Sequence, residues 1–347
     1  MIATMRKDKD VTIYDIARNL SISPATVSRG LKDHPAISSK TKKRITDKAR
    51  ELGYRSNNFA SNLRQQKSYT IGVLLHELHS NFIVSVLAGI EKVTAEANYD
   101  IIIAHSSESG TKEVENAENL FHKRVDGLIA SLAFDTPDLS HFDPFISKGI
   151  PVVFFDRVEE NSVGTKVIID NYKAGYDATR HLIEQGCKRV VHITGNLKRN
   201  VYAQRCNGYK AALRDYDVPF SDDLLYVISL EQDSSVATAR AIAVMDPMPD
   251  GIFAASDFTG ALCIQTFKEM GLRIPEDIAV VGFNNDVVST IVEPRLTTIN
   301  YPGVEIGEVA ARSLVHHLAG NGDITLTNSI IIKSELIVRA SSLRRPV

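Results

Sequence analysis

The chain has 347 residues, 44% hydrophobic and 24% charged, with three cysteines and no tryptophan. It is long enough for more than one core, and no apolar run approaches the ~18 residues of a membrane span, so a soluble, cytoplasmic protein without membrane contact is expected. Cys187, Cys206 and Cys263 lie far apart and odd in number, which argues against a secreted disulfide framework. The formal charge of −2 hides an asymmetry: residues 1–68 hold 15 Lys+Arg against 6 Asp+Glu, a formal +9, and the other 279 hold 25 against 36, a formal −11. A basic head gains affinity for nucleic acid by releasing phosphate counterions, while an acidic body is repelled.

In chain order, Thr12 begins a first helical pattern with Asp15 three residues on, a capping-box spacing, and Ile13, Ile16, Ala17 and Leu20 share one face. Ser23-Pro24 reads as an N-cap followed by proline at the first helical position. The helix it opens turns Val27 and Leu31 inward and Ala25, Thr26, Ser28 and Arg29 outward. Small, hydroxyl and guanidinium groups presented from the first turns of a helix suit the DNA major groove. The plainer alternative is an ordinary helical hairpin. Ser38 caps a third helix with the stripe Ile45, Ala49 and Leu52, surrounded by Lys40, Lys42, Lys43, Arg44 and Lys48. Together these make a small bundle burying Ile13, Ala17, Val27, Leu31, Ile37, Ile45 and Leu52, with residues 1–56 as its extent. Residues 57–68 follow as a linker too short for a stable isolated helix, although Asn57 or Asn58 can cap and Phe59, Ala60 and Leu63 share a side. Such a segment orders on binding, or is only a flexible tether.

From Tyr69 onward short apolar runs alternate with amphipathic stretches. Strands are expected at 70–75, 100–104, 127–131, 151–155, 166–170, 189–194, 251–255 and 278–283, with helices at 82–97, 173–185, 203–215, 234–245, 258–270 and 304–319. This alternation implies an α/β body of parallel sheets covered by helices, and its size implies two lobes. Ligands of open parallel sheets collect beyond the carboxyl ends of strands. Those ends carry Asn81 and Phe82, Asp156 and Arg157, Asp170 and Asn171, Arg199 and Arg205, Ser256 and Asp257, and Asn284. Carboxylates and guanidinium groups that bind vicinal hydroxyls, with Phe82 to stack on a ring, describe a carbohydrate site. Plainer roles compete: Asp170, Asn171, Ser256 or Asp257 as helix caps, Arg199 as a solvated loop cation, Arg157 paired with Glu159 or Glu160 on the surface.

Catalytic patterns are missing. There is no phosphate-binding G-x-x-x-x-G-K-[ST], no G-x-G-x-x-G and no G-x-S-x-G. His76-Glu77-Leu78-His79 resembles a zinc motif, but its histidines are three apart rather than four and sit at a strand end. No enzyme activity, cofactor or metal is expected. The two function classes left are a ligand-responsive DNA-binding regulator and a small-molecule-binding protein without operator function.

T-I-Y-D-I-A, S-P-A-T-V-S-R, S-S-K-T and A-R-E-L-G-Y-R-S-N resemble the headpiece of the LacI/GalR family of bacterial transcription regulators, and the likeness continues along nearly the whole chain. The resemblance implies a helix-turn-helix headpiece, a hinge helix and a two-lobed periplasmic-binding-protein-like core at 69–347. Its N-lobe is expected at about 69–169 and 300–328 and its C-lobe at 170–299 and 329–347, with crossings near 170, 299 and 329. By the resemblance Ala25, Thr26 and Arg29 lie against base edges, while Thr12, Tyr14, Ser23, Ser28, Ser38 and Asn57 hold phosphates. Ala60, Leu63 and Arg64 belong to a hinge in which Leu63 wedges into a minor-groove base step and Arg64 adds a minor-groove or phosphate contact. Arg205 stands where these regulators keep an effector-binding arginine. A repressor acting as a homodimer on a pseudo-palindromic operator, controlled by a sugar or sugar derivative, is the expected function, with a sugar, a sugar phosphate and a purine all open as effector. Three departures stand out: Ser21 where the family often has Gly, Ser61 where it commonly has Arg, and Asn284 where many relatives have Asp.

Overall fold

The Asp15 carboxylate accepts hydrogen bonds from the Thr12 amide at 2.9 Å and the Thr12 hydroxyl at 2.7 Å, and this starts helix α1 (Ile13–Leu20). The computed structural model describes residues 11–54, 67–160, 162–324 and 329–344. It divides into two units, one ending at Lys67 and the other beginning at Ser68. In the first, α1 stops where Ser21 takes a left-handed φ of +53° and the Ile22 amide reaches back to the Ala17 carbonyl at 3.1 Å. Ser23 caps α2 (Pro24–Leu31) by accepting the Thr26 amide at 3.1 Å, and Ser38 caps α3 (Ser39–Glu51) by accepting the Thr41 amide at 3.2 Å. Ile16, Ala17, Val27, Ile45 and Ala49 form the buried core, edged by Ile13, Leu31 and Leu52. Ile37, expected inside, lies outside it. It sits in the loop before α3, beside exposed Pro35 and Ala36, and is only half-buried.

The second unit holds two six-stranded sheets. One runs β11 (Ser329–Ile332), β5 (Thr165–Ile169), β4 (Val152–Phe155), β3 (Gly127–Ala130), β1 (Thr70–Leu75), β2 (Asp100–His105), with every pairing parallel. The other runs β12 (Glu335–Ile337), β10 (Thr297–Asn300), β9 (Ala279–Asn284), β8 (Gly251–Ala254), β6 (Val190–Thr194), β7 (Leu225–Val227), and is parallel except where β12 meets β10. The central strands are apolar because helices cover both faces. Helices α4 (Asn81–Glu96) and α12 (Gly303–Leu318) pack against the first sheet, with α5 (Gly110–His122) and α6 (Asp143–Ser147) nearby. Helices α7 (Asn171–Glu184), α8 (Asn200–Asp215), α9 (Gln232–Ala243), α10 (Asp257–Glu269) and the short α11 (Val288–Ile291) belong to the second. α7 and α8 touch backbone to backbone: a Cβ on Gly208 would fall 2.1 Å from the Tyr172 carbonyl oxygen. That contact fixes the height of α8, and with it Arg205, above β6 and β8.

The chain passes between the lobes at Asp170, between β10 and α12, and between β11 and β12. The third crossing therefore falls at 333–334 and not near 329. The apolar run Ser329–Ile332 first extends the N-lobe sheet beside β5, in register Ile330 with Val167. Among the described residues no helix is long and apolar enough to cross a membrane.

Candidate effector crevice and nucleic-acid interface

In the headpiece unit α2 leaves Ala25 and Arg29 exposed and Thr26 and Ser28 half-buried, and Tyr14 on α1 is 63% exposed. Ser23 and Ser38 spend their hydroxyls on caps, and each also meets a threonine hydroxyl, Thr26 and Thr41, at 2.9 Å. Thr12 is engaged by Asp15 as described. Asn57, Ala60, Leu63 and Arg64 lie outside the described residues.

In the larger unit the carboxyl ends of the two sheets face one another across a crevice. Asp156 follows β4 with a left-handed φ of +57° and accepts the Tyr301 hydroxyl at 2.8 Å. Burial raises its carboxyl above the usual range, against the pull of Arg157 and the Tyr301 hydrogen bond. The Arg157 guanidinium lies over the Phe134 ring, 4.1 Å from its centroid, and donates to both oxygens of Glu108 at 2.8 and 2.7 Å. Glu108, and not Glu159 or Glu160, is thus its partner. A second group, the Tyr202 hydroxyl, accepts from Arg157 at 3.5 Å from the opposite lobe.

Arg205 is 4% exposed. It donates to Asn171 at 2.9 Å and to the Ala255 carbonyl at 3.2 Å, and its guanidinium stacks 3.5 Å above the Phe283 ring. Burial lowers its basicity, against the opposing pull of Tyr301, Tyr202 and Asp156 nearby. Arg199 is no solvated loop cation. It is buried and donates to the carbonyls of Phe134 at 3.2 Å and Thr136 at 2.9 Å and to Glu159 at 3.0 Å, all on the other lobe. Beside it opens a cavity of about 520 Å³ whose walls include Asp135, Asp138, Glu159 and Lys198. Phe82 stacks on Tyr301, ring centroids 4.1 Å apart, and with Asn284 borders a second cavity of about 430 Å³ on the other side of the crevice.

Two candidates leave this group. Asp170 is exposed and caps α7 through the Lys173 amide at 2.8 Å. Asp257 is 0% exposed and bonded inside the C-lobe, accepting the Thr298 hydroxyl at 2.5 Å and the Asp286 amide at 2.7 Å. Burial pushes its carboxyl up to about 7, with Asp286 adding to the shift. Ser256, not Asp257, caps α10, accepting the Thr259 amide at 3.2 Å. The His76 Nδ1 meets the Ser131 hydroxyl at 3.0 Å, and burial drives its basicity far down.

A model of the lacI family of bacterial regulatory proteins matches residues 12–57, and one of periplasmic binding protein-like domains matches 179–342. Catabolite control protein A of Priestia megaterium is 32% identical over 310 residues, 89% of this chain and 93% of that protein. The chain belongs to the LacI family. Like that family, it is a DNA-binding transcriptional regulator controlled by a small effector. A second relative of this LacI-family regulator, the HTH-type transcriptional regulator RegA of Clostridium saccharobutylicum, is 31% identical over 96% of this chain and 99% of its own. A structure of the transcriptional regulator CelR with cellobiose is 28% identical, with a TM-score of 0.72 over 95% of this chain and 99% of that one. The Lac repressor dimer bound to operator shares the fold at a TM-score of 0.86 and 21% identity, over 97% and 100%. These relatives are transcriptional regulators rather than enzymes.

Sequence reasoning missed Glu108, Tyr202, Phe283, Asp286 and Tyr301. All but Tyr202 sit at or just past a strand end, and of these Phe283 and Asp286 end or follow a strand that the sequence marks.

Proposed function

We propose that this LacI-family regulator is a repressor that grips a pseudo-palindromic operator as a homodimer, and that a carbohydrate in the interlobe crevice sets its operator affinity. The observation that carries the reading is the crevice itself. Asp156 and Arg157 come from one lobe, Tyr202 and Arg205 from the other, so a ligand touching both walls binds the two lobe orientations unequally. Six residues line this path: Phe82, Asp156, Arg157, Arg199, Arg205 and Asn284. The cellobiose held by the related CelR structure supports the ligand class. On the DNA side, Ala25, Thr26 and Arg29 read bases, Thr12, Tyr14, Ser23, Ser28, Ser38 and Asn57 hold phosphates, and Ala60, Leu63 and Arg64 enter the minor groove. The protein acts in the cytoplasm, without catalysis, cofactor or metal.

The test is selection of duplexes from a pseudo-palindromic pool by the full chain, followed by mobility shift. Salt-sensitive binding is expected, lost on Arg29→Ala and weakened on Leu63→Ala. Absence of any salt-sensitive duplex binding refutes the operator role.

A further inference from the structure

We infer that the effector is an uncharged carbohydrate seated against Asn284 and the Phe82–Tyr301 pair, and that phosphorylated and other anionic sugars are excluded. This rests on the effector reading above and narrows it. The second cavity is lined by amides and hydroxyls from both lobes, Asn81, Ser85, Asn284 and Asn300 among them, and no lysine or arginine borders it. Its charged walls are Asp286, Glu305 and Glu308. Glu308 is matched by Lys92 at 2.8 Å and Arg312 at 2.7 Å, whereas Asp286 accepts the neutral Asn284 amide at 3.3 Å, which leaves the charges of Asp286 and Glu305 to set the local field. Two 16-residue helices, α4 and α12, begin here, and each macrodipole contributes roughly half a positive charge. Two halves do not cancel two carboxylates, so the balance disfavours an anion.

The crevice arginines do not reverse this, because each is already committed. Arg157 is held by both oxygens of Glu108, Arg199 by Glu159 and two carbonyls, and Arg205 by Asn171, a carbonyl and the face of Phe283. A phosphate taking Arg157 would leave Glu108 with the Phe134 amide, at 3.1 Å, in place of its ion pair, a costly exchange in a buried site. Burial already raises the carboxyls of Glu77, Glu108, Asp156 and Asp286, and Glu77 and Asp286 repel across the gap. Neutral hydroxyls suit this wall. They donate to the carboxylates, accept from the Asn81 and Asn284 amides, and bring an apolar ring face to an aromatic pair.

The test uses the full chain and paired probes: glucose with glucose 6-phosphate, ribose with ribose 5-phosphate, fructose with fructose 6-phosphate, and cellobiose. Thermal shift screens them and calorimetry gives affinities at fixed ionic strength. At least one neutral sugar is expected to bind, its phosphate ester at least tenfold more weakly. Asn284→Gly, which keeps the φ of +115° without strain, should weaken the neutral sugar tenfold or more, and Asp286→Asn should narrow the gap between the pair. A phosphate ester that binds as tightly as its parent overturns this inference and leaves the effector reading standing. Neutral-sugar binding untouched by Asn284→Gly overturns the seat. Silence across the panel, with operator binding intact, overturns both.

Discussion

Asp257 shows how one buried carboxyl makes a pH-dependent claim. Its folded value, pushed up to about 7, lies above an unfolded aspartate near 3.9, so the folded state holds the proton more tightly. The stability this supplies is complete below the unfolded value and declines as pH rises through about 7. Replacing Asp257 by Asn should flatten the fall in melting temperature between pH 5 and 8, measured by calorimetry on the full chain. An unchanged slope would mean the carboxyl does not titrate in that window. Arg205 makes a second prediction. Arg205→Ala removes the bond to Asn171 and the stack on Phe283 that hold this crevice wall, so it should weaken the thermal shift given by a binding sugar while leaving effector-free operator affinity within a few-fold, read by mobility shift. Asp156 was legible because it follows a strongly apolar strand, and Arg205, on α8, because the family resemblance points to it. Tyr301 was not, because β10 reads TTIN, too short and too rich in threonine to announce a strand. Glu108 was hidden for a different reason: it lies three residues past β2 in a left-handed turn at φ +61°.

At the level of elements, capping chemistry fixed the headpiece well. Thr12, Ser23 and Ser38 all stand at N-caps where the sequence placed them. Ser21 is the costly point, since a non-glycine residue in the left-handed region gives up about 1 kcal/mol. Ser21→Gly should recover a few tenths to about 1 kcal/mol, the larger unfolded entropy of glycine offsetting part of the gain. Ser23→Ala should lose about 1 kcal/mol by leaving the Thr26 amide without its acceptor. Both changes are read as amide-exchange protection of residues 13–50 in the full chain; opposite signs for the pair are the expected outcome. The body was legible where strands are runs of branched or aromatic apolar residues, as at β1, β4 and β9. Helix α5 escaped notice because its inward face carries Glu113, a buried carboxylate bonded by the Ala133 amide and the Thr136 hydroxyl, which breaks the apolar stripe. Strands β7, β11 and β12 are short and half-exposed at sheet margins, so no burial pattern marks them.

For the larger unit as a whole, the decisive quantity is the balance between lobe orientations, and the amino terminus of α8 weighs on it directly. Asn200 accepts the Val158 amide at 3.0 Å and donates to the Asp156 carbonyl at 3.1 Å, while Arg199 beside it holds Phe134, Thr136 and Glu159. These bonds all cross from one lobe to the other, so they exist only while the crevice is shut. Opening exchanges them for water, and each is therefore worth on the order of 1 kcal/mol to the closed form. Asn200→Ala removes two of them and leaves the Val158 amide unpaired only in the closed arrangement. Since about 1.4 kcal/mol is a factor of ten, the variant should shift the closed-to-open ratio roughly tenfold or more toward open. Donor and acceptor dyes on α5 and α9 of the full-length protein would report this as a longer mean distance between lobes. A binding sugar that engages both walls should restore part of the shorter distance. Identical distances in wild type and Asn200→Ala would show that the crevice is held shut by its aromatic packing alone, with the hydrogen bonds merely accompanying it.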